Sequence, residues 1–430
     1  MNKTDNIYST IRSAKFVLKP TTRQKEILES FFGLSRALYN ISLYNIKNSE
    51  FGTYETKNGS IVPKIPSEFD LNKSLTKLKE EYSYLALLPN DYAQATMKNL
   101  SRGFDNFYRT LNYPKFKAKK SSTQSFNCYA GCRVKIVRDH IILINPKGSN
   151  YSKNDLKIRF KRHKIKYNFK KVTGFTISRE NNKYYISFTF YTDIESKETS
   201  ESVGIDLGIK DFVICSDGTV YPNMRFYEKS LRKLKISQRR LDKKQKGSKN
   251  REKARLKVNK IHKKVKNQRN DYQHKVSREL ANKNRTIFLE TLDVKNMMKN
   301  KRLARAIQDV SWSSFITKLD YKIAENQGCI VKIDPFYPSS KTCSNCGCVK
   351  DKLLLSERTY HCTECGYIID RDLNASINIL KTGLKMIEAT DATVGTSLKN
   401  QSLWSSKTTQ IKSEKNYETR KTIKNRKESL

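Results

Sequence analysis

A chain of 430 residues is long enough for two or three domains, each with a core of its own. With 85 Lys plus Arg against 42 Asp plus Glu, its net charge of +43 points to a polyanionic partner, nucleic acid before an acidic membrane surface. No apolar run approaches the ~20 residues that span a bilayer, and MNKTDNIYST has no signal-peptide core, so the expectation is a soluble, cytoplasmic protein without membrane partners.

Ala14 to Leu18 reads as a short strand leading into Pro20-Thr21-Thr22. Ile27, Phe31, Leu34, Leu38, Ile41 and Tyr44 then recur at helical spacing. Ser67 can cap a second helix carrying Leu71, Leu75, Leu78, Tyr82 and Leu85, and a third follows Pro89-Asn90 through Ala93, Met97, Leu100, Phe104, Phe107 and Leu111. These apolar stripes predict a small helical insertion, over 21–120. From Phe126 the period becomes two. Arg133–Val137 and His140–Ile144 flank Arg138-Asp139, while Val172–Ser178 and Tyr184–Tyr191 flank Asn181-Asn182, as in antiparallel hairpins. With the first strand they can close a β-barrel, 1–20 and 121–195, into which the helices are inserted. Lys157, Arg159, Lys161, Arg162 and Lys164 are either a solvated face or, given the global charge, a nucleic-acid surface.

Residues 192–201 are polar and read as a linker. In Val203-Gly204-Ile205-Asp206-Leu207-Gly208-Ile209, alternation puts the aliphatic residues on one face and Asp206 on the other. A carboxylate in an apolar strand is costly unless it is paired or binds a metal, and its flanking glycines leave room for an ion and a nucleic-acid backbone. A hairpin turns at Asp217-Gly218. Residues 225–285 are strongly basic with thin apolar seams, a helical hairpin breaking near Gly247-Ser248. A solvated face is the ordinary reading of a basic helix, but the several-fold cation excess favours phosphate contact. Thr286 to Glu290 reads as a buried strand ending in a carboxylate, Trp312 to Tyr321 as a helix and Cys329–Ile333 as a strand. Beyond Thr382 aliphatic density falls, and 383–430 is expected to be a disordered basic tail.

Two Cys-x-x-Cys pairs, Cys343/Cys346 and Cys362/Cys365, have the spacing of a closed tetrahedral Zn²⁺ site, each continuing into a glycine suited to a tight reversal. The other cysteines of the nine are scattered, which fits a reducing compartment rather than a disulfide framework. The ribbon leads to Asp370-Arg371-Asp372 at the start of a helix carrying Leu373, Ile377 and Leu380. Asp206, Glu290 and Asp372 thus come from separate elements. Their convergence suits a two-metal hydrolytic site, where Mg²⁺ matches charges that would otherwise repel. Each acid taken alone is also an ordinary cap or ion-pair partner, Asp370 above all.

The blocks VGIDLGIKDFVICSDG, IFLETLDVKNM, DPFYPSSKTCSNCG and YHCTECGYIIDRDLNASINIL resemble the signature blocks of the TnpB family, transposon-encoded RNA-guided nucleases related to the miniature type V CRISPR effectors. The resemblance is specific in the C-terminal half and diffuse in the N-terminal half, where YPKFKAKKSSTQSF fits best. It implies a multidomain α+β protein. A RuvC-like, RNase H-type nuclease domain (202–338 and 368–382) would carry an inserted zinc ribbon (339–367). An N-terminal wedge-like β-barrel would carry a helical recognition insertion. Asp206 then matches the first acid, Glu290 the second and Asp372 the third, since it stands two residues before Asn374-Ala375. The zinc ligands match at all four positions, with Cys348 extra. The function implied is Mg²⁺-dependent cleavage of double-stranded target DNA directed by a guide RNA, in a prokaryotic cytoplasm and at the nucleoid when bound to DNA. The alternatives are a catalytically inactive RNA-guided repressor, against which the three acids speak, and an RNA-independent transposase of the same fold.

Overall fold

The structure, a computed structural model, describes residues 7–55, 60–121, 123–129, 135–146, 148–161, 171–195, 197, 199–354 and 356–394. The chain divides into two compact units, with boundaries at Tyr8/Ser9 and at Asp193/Ile194, the latter inside the polar stretch expected to be a linker.

The first unit opens with β1 (Ile7–Lys19), longer than its apolar centre suggests. Helix α1 (Thr22–Lys47) starts at a capping box between Thr21 and Gln24. After a small hairpin, β2 (Thr53–Glu55) and β3 (Ile61–Pro63), Ser67 caps α2 (Glu68–Lys73) as expected. The helix does not run on to Leu85. It breaks at Ser74, whose hydroxyl donates to the Leu71 carbonyl, and resumes as α3 (Leu75–Glu81) and a 3₁₀ turn at Ser83–Leu87. Helix α4 (Asn90–Thr110) follows.

Strands β4 (Thr123–Cys128), β5 (Lys135–Val137) and β6 (His140–Ile142), a turn of helix α5 (Lys153–Leu156), then β7 (Lys157–Lys161), β8 (Lys171–Glu180) and β9 (Lys183–Glu195) complete this unit. They form a seven-stranded sheet ordered β4-β8-β9-β1-β7-β6-β5. The β8–β9 turn is Asn181-Asn182 with φ of 50° and 61°, the left-handed pair that a two-residue hairpin requires. In β7 the exposed Lys157, Arg159 and Lys161 alternate with buried Ile158 and Phe160; Arg162 and Lys164 lie outside the described residues. Helices and sheet share one hydrophobic core, in which Phe31 of α1, Tyr92 of α4 and Phe126 of β4 pack ring against ring, so the helical insertion is not a separate body.

The second unit is built on a five-stranded sheet. Strands β10 (Glu201–Asp206), β11 (Asp211–Cys215) and β12 (Val220–Pro222) run antiparallel in succession. The chain then leaves the sheet through α6 (Phe226–Asp242) and the 35-residue α7 (Lys249–Lys283), separated by Gly247 at φ 88° and the N-cap Ser248. It returns as β13 (Asn284–Glu290), parallel to β10. A short α8 (Val294–Met297), then α9 (Ala304–Val310) and α10 (Trp312–Ala324), cross back to β14 (Cys329–Ile333), parallel to β13. The strand order is β12-β11-β10-β13-β14.

Val203, Ile205, Ile287 and Leu289 face a core completed by Val276, Leu280, Trp312, Phe315 and Leu319 from α7 and α10. Beyond the cysteine knuckles, a two-stranded ribbon of β15 (Thr359–His361) and β16 (Ile368–Asp370) leads into α11 (Arg371–Val394). Helix α11 covers the other face of the sheet, where Ile379 and Leu380 meet Phe288 and Ile333. It also continues twelve residues beyond 382, because Gly383 lets it lie against Phe288 and Ile387 stays half-buried in the same cluster. Residues 383–394 of the expected tail are therefore helical, and the rest of that stretch, 395–430, lies outside the described residues.

Candidate active site and zinc ribbon

Strand β10 pairs in parallel with β13 so that Gly204 lies opposite Phe288 and Ile205 opposite Leu289. Continuing that register by one residue sets Asp206 beside Glu290, at the C-terminal ends of adjacent strands. The third acid comes from α11, whose first turn holds Asp372. Asp370, the neighbour that competes with it in sequence, is the cap: its Oδ1 accepts from the Asp372 and Leu373 amides at 2.9 and 3.1 Å.

Burial, with Glu290 and Asp372 beside it, pushes the Asp206 carboxyl up to about 7. Asp372 is raised too, first by burial and then by Asp370; Arg358, Arg371 and Lys210 only partly offset this. The cations around these carboxylates do not cancel their mutual repulsion and burial, the condition that a divalent cation relieves. The three acids fit Mg²⁺ on that ground. They converge more loosely than the cysteines, since among the described residues only the four cysteines bring at least three ligand atoms within 4.8 Å of one another.

The glycines of this strand serve a different purpose from the one expected. A Cβ on Gly204 would lie 2.2 Å from the Ser376 carbonyl oxygen and 2.6 Å from the Leu380 amide, the two ends of one backbone hydrogen bond in α11. On Gly208 it would lie 2.6 Å from the Asp211 carbonyl oxygen. The space at Gly204 is filled by the helix that carries Asp372, and that at Gly208 by the turn into β11. Neither is left for a ligand.

In the ribbon, Cys343 and Cys365 Sγ are 3.7 Å apart and Cys346 and Cys362 Sγ 3.6 Å. A tetrahedron with Zn–S bonds of about 2.3 Å has edges of about 3.8 Å, so these sulfurs fit one Zn²⁺. Cys348 is not part of the group; its carbonyl accepts the Cys343 amide at 2.8 Å. Gly347 (φ 82°) and Gly366 (φ 69°) donate to the Cys343 and Cys362 carbonyls, closing the two knuckles in the left-handed conformation that glycine tolerates.

Helices α6 and α7 touch through Leu234, Leu241 and Val258 and leave Lys253, Arg255, Lys257, Lys260, Lys264 and Lys266 exposed.

Sequence reasoning missed a set of buried polar residues around the acids. Ser339 donates from its hydroxyl to Glu290, while Asn374 and Asn378 project from α11 onto the segment that enters the ribbon. Two asparagines four residues apart, with Lys381 following on the same helix face, were the available signal.

Residues 185–301 match a family model described as "Probable transposase", and 312–379 one described as "Cas12f1-like, TNB domain". The first match contains Asp206 and Glu290; the second contains the four cysteines and Asp372. Residues 10–49 match a "Helix-turn-helix domain", and here that stretch is most of β1 followed by the single helix α1. A Streptomyces pristinaespiralis protein named "Putative RNA-guided DNA endonuclease" is 32% identical over 87% of this chain and 89% of its own. The chain belongs to the TnpB family. Among TnpB relatives, "TnpB-like protein L770" of Acanthamoeba polyphaga mimivirus is 26% identical over 89% of this chain and 75% of its own. A cryo-EM structure of a Cas12f1-sgRNA-target DNA complex is similar at a TM-score of 0.48, with 14% identity over 86% of this chain and 98% of that one.

Proposed function

We propose that this protein is an RNA-guided DNA endonuclease, in which a bound guide RNA pairs with one strand of double-stranded target DNA and the protein hydrolyses the DNA backbone. What carries this reading is the register that sets Asp206 beside Glu290 at the ends of paired strands, with Asp372 near enough to help raise the Asp206 carboxyl. The name of the Streptomyces relative supports it. A sheet of three antiparallel strands extended by two parallel ones supports a RuvC-like, RNase H-type nuclease core over 202–338 and 368–382, with the zinc ribbon inserted before the last acid. The seven-stranded sheet is assigned as the wedge-like barrel and α1–α4 as the recognition insertion.

The three carboxylates would hold Mg²⁺, which supplies an activated water and charge at the leaving oxygen. The chain's own part is to hold those acids at fixed spacing, Asp206 and Glu290 on paired strands and Asp372 on a capped helix. Exposed lysines and arginines of α7 and β7 grip phosphates without reading bases, which base pairing with the guide does instead. On DNA matching the guide, Asp206→Ala, Glu290→Ala and Asp372→Ala should each abolish cleavage while RNA still copurifies. Cleavage by any of the three at the unsubstituted rate would overturn the assignment.

A further inference from the structure

The segment from Tyr337 to Ser344 enters the first zinc knuckle and makes no use of its position in the reading above, yet it touches both halves of the candidate site. At one end the Ser339 hydroxyl, buried, donates to Glu290 Oε1. At the other, the Ser344 amide donates to Asn374 Oδ1 at 2.9 Å, and the Ser344 carbonyl accepts Lys381 Nζ. Between them Asn378 Nδ2 donates to the Ser339 and Thr342 carbonyls at 2.9 and 2.6 Å, and Asn374 Nδ2 to the Thr342 carbonyl at 2.7 Å. Asn374 and Asn378 are 0% and 3% exposed, so their amides have no water to fall back on. Asn374 stands two residues after Asp372, and Cys343 lies inside the clamped segment.

We propose that Ser339 is a positioning residue for Glu290, and that the Asn374–Asn378 clamp makes the first zinc knuckle the common reference for Glu290 and Asp372. A carboxylate has two oxygens and several acceptor directions. Fixing Oε1 with a buried hydroxyl turns the other lone pairs toward the end of the sheet where Asp206 lies. The clamp supplies what a lone serine cannot, a rigid carbonyl track that keeps Ser339 in place whenever α11 is in place. The zinc ribbon thereby acts on both acids, on Asp372 through the chain and on Glu290 through Ser339. This rests on the reading of Glu290 as a metal-binding acid.

The test compares Ser339→Ala, Ser339→Thr and Glu290→Ala in the RNA-bound protein. Cleavage is followed against Mg²⁺ concentration. Separately, Fe²⁺ with ascorbate and peroxide is used to cut the polypeptide near the metal position, a readout that needs no DNA. Loss of an outer hydrogen bond to a ligating group costs about 10–100-fold in metal affinity or activity. Ser339→Ala should therefore need at least about tenfold more Mg²⁺ for half-maximal cleavage, and similarly more Fe²⁺ for fragmentation around residues 206, 290 and 372. Zinc content and copurifying RNA should stay unchanged. Ser339→Thr, which keeps the hydroxyl, should recover most of the shift. An unchanged metal dependence in Ser339→Ala, with Glu290→Ala inactive, would overturn the positioning role alone. Full cleavage by Glu290→Ala would overturn the underlying assignment. Zinc loss from Ser339→Ala would show a merely structural role.

Discussion

Replacing Gly204 with alanine tests how the third acid is delivered. The new methyl group would sit 2.2 Å from the Ser376 carbonyl oxygen and 2.6 Å from the Leu380 amide, and both are backbone atoms of α11 that no rotamer change can move. Reaching ordinary contact, at 3.4 Å or more, requires the helix to retreat from β10 by about 1 Å. Overpacking of this kind costs roughly 1–3 kcal/mol. The helix start that carries Asp372 moves with it, and a 1 Å misplacement of a reacting group can cost about 10²-fold in rate. Gly204→Ala should thus melt below the unsubstituted protein and cleave about two orders of magnitude more slowly, with zinc content and RNA binding retained. Urea denaturation gives the first quantity and single-turnover cleavage of guide-matched DNA the second. An alanine variant with unchanged stability and rate would refute the claim that helix approach at Gly204 sets the position of Asp372.

Further outcomes follow from the same geometry. Asp370→Ala removes a helix cap, so it should lose about 1 kcal/mol of stability yet keep far more cleavage than Asp372→Ala; reversed ranks in a cleavage assay would exchange their roles. Replacing Cys343 or Cys362 with serine should release zinc, measurable by metal analysis, and reduce cleavage by loosening the segment between Ser339 and Asp372. In the metal-free protein, Asp206 held near 7 favours the neutral acid. Its contribution to stability is complete below the usual carboxylate value, near 4, and is lost as pH rises through 7. Relative to Asp206→Asn, the metal-free melting temperature should fall between about pH 4 and 7 and level off above that, and Mg²⁺ should reverse the fall.

Much of this arrangement was legible because local chemistry decided it. Asn181-Asn182 marked the turn between two alternating strands, the cysteine spacing carried the metal geometry with it, and Asp206 stood out as a charge in an apolar strand. Features decided by distant contacts were not legible. Gly204 was read as room for a ligand, because nothing in VGIDLG says that α11, more than 160 residues on, packs there. Helix α11 was expected to stop near Thr382, where aliphatic density falls, and its continuation depends on the distant contact of Gly383 with Phe288. The interruption at Ser74 leaves no trace in a periodic stripe of leucines. Ser339 looked like one loop serine among several until its partner was known.

The central claim is RNA guidance of a metal-dependent nuclease. The most direct measurement is to purify the protein with and without co-expression of the genomic sequence flanking its gene, remove divalent ions with EDTA, and challenge both preparations with matched and mismatched DNA on restoring Mg²⁺. Cleavage of matched DNA alone, by the RNA-bearing preparation alone, and only after Mg²⁺ is restored, is the predicted result. Equal, sequence-independent cleavage by both preparations would contradict it and favour an RNA-independent transposase.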